Sequence, residues 1–254
     1  MSEDQNQTLI EHLLELRTRI IRALIAVLVV FLAMVTFANP IYEAVSEPLR
    51  SMMPEGSNMI ATDVASPFLA PLKLSAMLSL FIAMPIVLYQ LWAFIAPGLY
   101  AKEKAVAIPI FTSSVVLFYL GMAFAYFVVF PLVFGFFTTI GPDSVAVMTD
   151  INSYLSFVLK LFLAFGLAFE IPVATFVLIR AGVISRANLA SKRPFVLVGC
   201  FVFGMFLTPP DIFSQALLAI PMYALFELGL LFSKDKASEK EEEEEEKSEH
   251  KENS

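Results

Sequence analysis

A chain of 254 residues that is 58% hydrophobic, with mean hydropathy +0.75, lies far outside the range of a water-soluble domain, so lipid must be part of its solvent. The net charge of -7 sits mostly at one end: from Ser233 onward ten acidic residues face five lysines, a net -5, which leaves -2 for the body and no broad basic face for nucleic acid. The single Cys200 excludes an internal disulfide, and with His12 and His250 the only histidines there is no metal-ligand spacing, so no metal and no cofactor are expected.

A membrane-spanning helix needs about 20 apolar residues rising about 1.5 Å each, and lipid admits only helices or closed barrels. Continuous apolarity without dyad alternation excludes a barrel. The expected fold is an all-α polytopic membrane protein with six transmembrane helices, over 20–38, 72–96, 106–130, 154–179, 195–207 and 212–232. The first run follows three arginines like a secretory signal, but about 19 apolar residues exceed the ~7–15 of a cleavable segment, so it reads as a retained anchor. Between the first two runs, 39–71 carries Pro40, Pro48, Pro54, Pro67 and Pro71 among apolar residues, a pattern of short amphipathic pieces; 131–153 is similar. Pro85, Pro109, Pro131, Pro172 and Pro221 lie in or beside the runs and should curve the bundle. The fifth run, about 13 residues, reaches only ~20 Å, and with 208–211 as a tight turn it forms a shallow hairpin with the sixth, beside thinned lipid. The acidic tail, 233–254, cannot bury a core and is expected to be disordered in the cytoplasm.

Basic residues occupy alternate gaps: Arg17, Arg19 and Arg22 before the first run, Lys102 and Lys104 after the second, Arg180, Arg186, Lys192 and Arg193 after the fourth, and five lysines after the last. Positive residues favour the cytoplasmic side, so both termini are expected there.

Few residues offer chemistry, and P-loop, dinucleotide and zinc-protease motifs are absent, so no enzyme is expected. Glu170 stands within an apolar run, where an ionisable group is a functional candidate by default; a hydrogen bond between helices is the structural alternative. Lys160, about 15 Å earlier along the same helix, is too far to pair with it and has no assigned role. Glu15 and Glu103 lie among positive charges, where a carboxylate suits a guanidinium ligand that it can accept in a bidentate fork. For Glu15 the plainer alternative is an ion pair with Arg19 four residues on, and for Glu103 a solvated charge; physics alone favours both alternatives. Trp92, Phe94 and Tyr100 fit an interfacial aromatic belt. Met205, Thr208 and Gln215 place adaptable and polar groups around the short hairpin.

The segments HLLELRTRI, MIATDVASPF, YQLWAFIAPGLY, FAYFVVFPL, SYLSFVLKLFLAFGLAFEIPV and KRPFVLVGCFVFGMFLTPPD together resemble the TatC family, the multispanning subunit of the twin-arginine protein translocase, from residue 9 to 232. The resemblance implies a curved, cup-like bundle in the bacterial inner membrane. It implies that Glu15 and Glu103 receive the paired arginines of a signal peptide, that Phe94 and Arg17 belong to the same signal-peptide-binding surface, and that Glu170 is an intramembrane polar site. Met205, Thr208 and Gln215 are implied to dock the single-span partners TatA and TatB, and Pro48 to belong to a structured outer loop. Self-association in a larger complex and export of folded cargo driven by the proton-motive force follow from the same likeness. A secondary transporter using Glu170 as a proton site, and a passive scaffold, are the competing readings. The first lacks the internal repeat usual for such folds.

Overall fold

The computed structural model describes residues 2–52, 60–99, 104–140, 150–207 and 212–233. Helices α1 (Ser2–Val35), α2 (Ala38–Met52), α3 (Ser66–Leu99) and α4 (Lys104–Phe124) are followed by a π-helical turn, Ala125–Val129, which runs into α5 (Phe130–Ile140). Then come α6 (Ile151–Ala168), α7 (Ile171–Arg180), α8 (Arg186–Ser191), α9 (Arg193–Leu207) and α10 (Ile212–Phe232). Helices overshoot the apolar runs, most clearly α1, whose first turns are polar. Helix formation follows backbone propensity and local pairing, whereas apolarity marks only the part that meets lipid. The Pro48, Pro67 and Pro71 stretch is likewise helical, in α2 and the start of α3.

Proline positions explain the interruptions. The apolar run 154–179 is two helices, because Pro172 has no N–H to donate and its ring crowds the carbonyl four residues back, at Ala168, where α6 ends. The backbone still bridges the break, with Glu170 N–H on the Leu167 carbonyl at 3.0 Å and Ala174 N–H on the Glu170 carbonyl at 2.8 Å. Pro131 acts on Phe127 in the same way, and there the chain answers with the π-helical turn, whose wider winding absorbs one missing bond. Pro109 and Pro221 sit inside intact helices. Gly182 closes α7 at φ +73°, and the Gly182 N–H reaches the Ile179 carbonyl at 2.9 Å.

The chain forms two compact units, one of Met1–Val115 with Phe136–Lys160, the other of Val116–Gly135 with Leu161–Ser254. In the first, α1 and α2 both pack on α3. A polar clasp joins the segment before α3 to the start of α6: Asp150 Oδ1 accepts from Thr62 N–H at 3.2 Å and Thr62 Oγ1 at 2.9 Å, Asp150 Oδ2 caps Ser153 N–H at 2.9 Å, and Ile151 N–H donates to the Ile60 carbonyl at 2.9 Å. The bonds from Ser153, and then those from Thr62, favour the charged carboxylate and lower the Asp150 pKa to about 2.

The second unit relies on close backbone approach. A Cβ on Gly121 would strike the Phe165 carbonyl, so glycine alone lets those chain segments meet. On α10, a Cβ at Gly229 would lie 2.9 Å from Pro172 Cα and 3.0 Å from Thr175 Cβ on α7. Ile179, Phe226 and Leu230 form a buried cluster there, with Leu189 of α8 against it.

Candidate functional site

The N-terminal part of α1 holds two of the candidate residues that can be placed, Glu15 and Arg17. Glu15 is half-buried, and its Oε1 accepts from Arg19 Nε at 2.9 Å and Nη2 at 2.6 Å. The i,i+4 pair weighed as the plainer alternative is therefore formed. Its other oxygen, Oε2, lies 3.9 Å from His12 Nδ1. His12 in turn stacks on Phe94 of α3, ring centroids 4.3 Å apart and planes 19° from parallel. Glu15 and Phe94, 79 positions apart in sequence (94 minus 15), thus meet around one imidazole. Arg17 is exposed beside them. The end of α3 that carries Phe94 is tied to α4 by Trp92 Nε1–H donating to Ser114 Oγ at 2.8 Å, so the aromatic belt residue has a hydrogen-bonding role. Glu103 lies outside the described residues.

Glu170 is the residue preceding α7, at the break induced by Pro172, with φ -77° and ψ -17° and no capping bond from its side chain. Its Oε1 is buried although the residue as a whole is half-buried. Reading Glu170 as a mid-helix group needs correcting: it stands at a helix junction. Lys160, on α6, is exposed. Met205 on α9 is exposed, and its neighbour Gly204 faces the Gln215 backbone of α10, whose carbonyl oxygen a Cβ would meet at 3.5 Å. Thr208 and the turn 208–211 lie outside the described residues, as does the tail beyond Ser233. Pro48 is in α2.

Two features escape sequence reasoning. Arg193, at the start of α9, forks onto Glu227 of α10, Nε–Oε1 2.7 Å and Nη2–Oε2 2.8 Å, while Tyr223 Oη–H donates to Oε1 at 2.7 Å. A carboxylate inside an apolar run was the available signal for Glu227, the same one that singled out Glu170. The other is an apolar cavity of about 430 Å³ bordered by α6, α9 and α10, with Ala164, Gly199 and Met222 in its wall. No run of residues betrays it, since its wall is assembled from residues far apart in the chain. Among the described residues no group of His, Cys, Asp or Glu is arranged to hold a metal ion.

Among the described residues, five helical stretches are long and apolar enough to cross a membrane, Ile10–Val35, Ser66–Ile95, Ala107–Val133, Ile151–Arg180 and Ile212–Phe232, with Arg193–Leu207 a shorter apolar helix. The class is that of an all-helical multi-pass membrane protein. Residues 11–221 match the family model for the Sec-independent protein translocase protein TatC. The chain is 62% identical over 229 residues to the Sec-independent protein translocase protein TatC of Azotobacter chroococcum mcd 1, covering 90% of each, and 59% identical over 234 residues to that of Escherichia coli strain K12, covering 92% of this chain and 91% of the other. A crystal structure of the twin arginine translocase receptor TatC in DDM superposes with a TM-score of 0.81 at 40% identity, over 88% of this chain and 99% of that one. The chain belongs to the TatC family of Sec-independent protein translocase proteins.

Proposed function

We propose that this chain is the receptor and core subunit of a translocase that recognises twin-arginine signal peptides and, with the single-span partners TatA and TatB, exports folded proteins across the bacterial inner membrane using the proton-motive force. The observation that carries this reading is the convergence of Glu15 and Phe94 at one end of α1 and α3, a half-buried carboxylate beside an aromatic face. A guanidinium matches that pair, donating to a carboxylate through its fork and stacking on a ring. Glu15 already accepts two N–H bonds from Arg19 on Oε1 alone, which leaves Oε2 toward a second guanidinium. Glu103, between Lys102 and Lys104, receives the other arginine, and Arg17 belongs to the same surface.

In this reading α9 is the sixth span and both termini are cytoplasmic by the placement of basic residues. At 15 residues α9 reaches about 22 Å against ~30 Å of hydrocarbon, so lipid beside it is thinned. Glu170 is the polar site reached by the apolar stretch of the signal; Met205, Thr208 and Gln215 dock the partner helices, and Pro48 belongs to the ordered outer loop. Self-association completes the larger complex.

Binding of a fluorescent peptide containing paired arginines to the full chain in membranes tests the reading. Glu15→Gln and Glu103→Gln are each expected to weaken it about tenfold or more, the scale of a lost charged hydrogen bond. Unchanged binding in the double variant would defeat the receptor role.

A further inference from the structure

His12 is one of two histidines in the chain, and the receptor reading gives it no part. Its position is nonetheless specific. One ring atom, Nδ1, lies 3.9 Å from the Glu15 oxygen that Arg19 does not occupy, and the ring face stacks on Phe94 at 4.3 Å and 19°. The imidazole contacts both candidate recognition elements, and these come from different helices. Stacking at this distance constrains the tilt of both rings and is worth more than the area it covers.

Glu15 is held from two sides. On α1, Arg19 fixes Oε1 from the following turn and His12 flanks Oε2 from the preceding one. The end of α3 that carries Phe94 is secured to α4 through Trp92 and Ser114, and His12 adds a ring contact from Phe94 across to α1. An arriving guanidinium needs the free carboxylate edge and the aromatic face at a fixed separation, because a bidentate fork and a stack are satisfied together only over a narrow range of geometry. Flexible placement of either partner would cost affinity as ordering entropy.

We propose that His12 is a positioning residue of the receptor, whose flat ring locks Phe94 of α3 beside Glu15 of α1 so that the two are presented to a guanidinium ligand as one preformed site. The role belongs to the ring face. A residue that keeps a flat aromatic surface preserves it, and one that removes the ring abolishes it.

This inference rests on the receptor reading, and the experiment separates the two. Binding of the same twin-arginine peptide is measured on the full chain in membranes for wild type, His12→Ala, His12→Phe and Glu15→Gln. Positioning predicts that His12→Ala weakens binding by at least about threefold, the scale of a single aromatic pair, and that His12→Phe restores it to near wild type. Rescue by Phe also shows that the loss in His12→Ala is not failure to fold. If His12→Ala binds as tightly as wild type, or His12→Phe binds as weakly as His12→Ala, the positioning role is overturned while the receptor reading stands, provided Glu15→Gln still loses affinity. If Glu15→Gln binds like wild type, the receptor reading falls, and the positioning proposal with it.

Discussion

Helices α1 and α10 are both apolar enough to cross a membrane, yet they are held by opposite means. In the candidate span of α1 the share of residues buried is 0%, against 39% in α10. Leu24, Leu28, Val29 and Leu32 of α1 are exposed, and the specific contacts gather at its polar end, in the Glu15, Arg19 and His12 cluster. By contrast α10 buries Leu218, Ala219, Met222, Phe226 and Leu230, and brings Gly229 onto the α7 backbone. Apolarity does not distinguish them, because lipid is as apolar as leucine and offers no reward for hiding it. What draws helices together in a membrane is close approach at small residues and a few polar bonds. Burial in this protein is therefore decided by glycine and by charge placement, which leaves α1 available as a working surface.

The contrast is broken most directly at Gly229. Replacement by Ala puts a methyl against Pro172 Cα, and overpacking of this kind costs about 1–3 kcal/mol; the thermal unfolding midpoint in detergent is expected to fall, and an unchanged midpoint would show that α10 is not held by backbone approach. Next in size is Glu227→Gln, which removes the bidentate Arg193 pair and weakens the Tyr223 bond. Because both partners of the ion pair are partly exposed, about 1 kcal/mol or less is expected, with the wild-type advantage shrinking as salt is raised. Leu28→Ala on the open face of α1 should shift stability by no more than about 0.5 kcal/mol. A loss as large as that of Gly229→Ala would mean that the face of α1 turned away from α3 is packed as well.

The Asp150 clasp gives a change confined to one place. Its carboxyl has a lower pKa folded, about 2, than its ordinary value of 3.8, so it contributes stability above the unfolded pKa that is lost as pH falls through the folded one. Hydrogen exchange at the Thr62 and Ser153 amides is expected to quicken between about pH 4 and pH 2, and Asp150→Asn should remove that acid response. A wild-type response surviving in the variant would assign it to another group.

Glu15, Phe94 and Glu170 were legible as candidates because charges and aromatics at the edge of, or inside, an apolar run are conspicuous. His12 was not, since a lone histidine on a polar helix end carries no pattern; only packing of α1 on α3 brings it over Phe94. Glu227 was legible and passed over, its partner Arg193 being 34 residues away in sequence.

Sequence by itself determined that this is a helical membrane protein, where its apolar runs lie and that it resembles the TatC family, because hydrocarbon requires long uncharged stretches and every backbone group to be satisfied within its own helix. Tertiary structure decided which of those helices is buried, where Pro172 divides a run to leave Glu170 at a junction, and which side chains meet around Glu15. Such contacts depend on approach distances between residues far apart in the chain, and a one-dimensional pattern of apolarity holds no record of them.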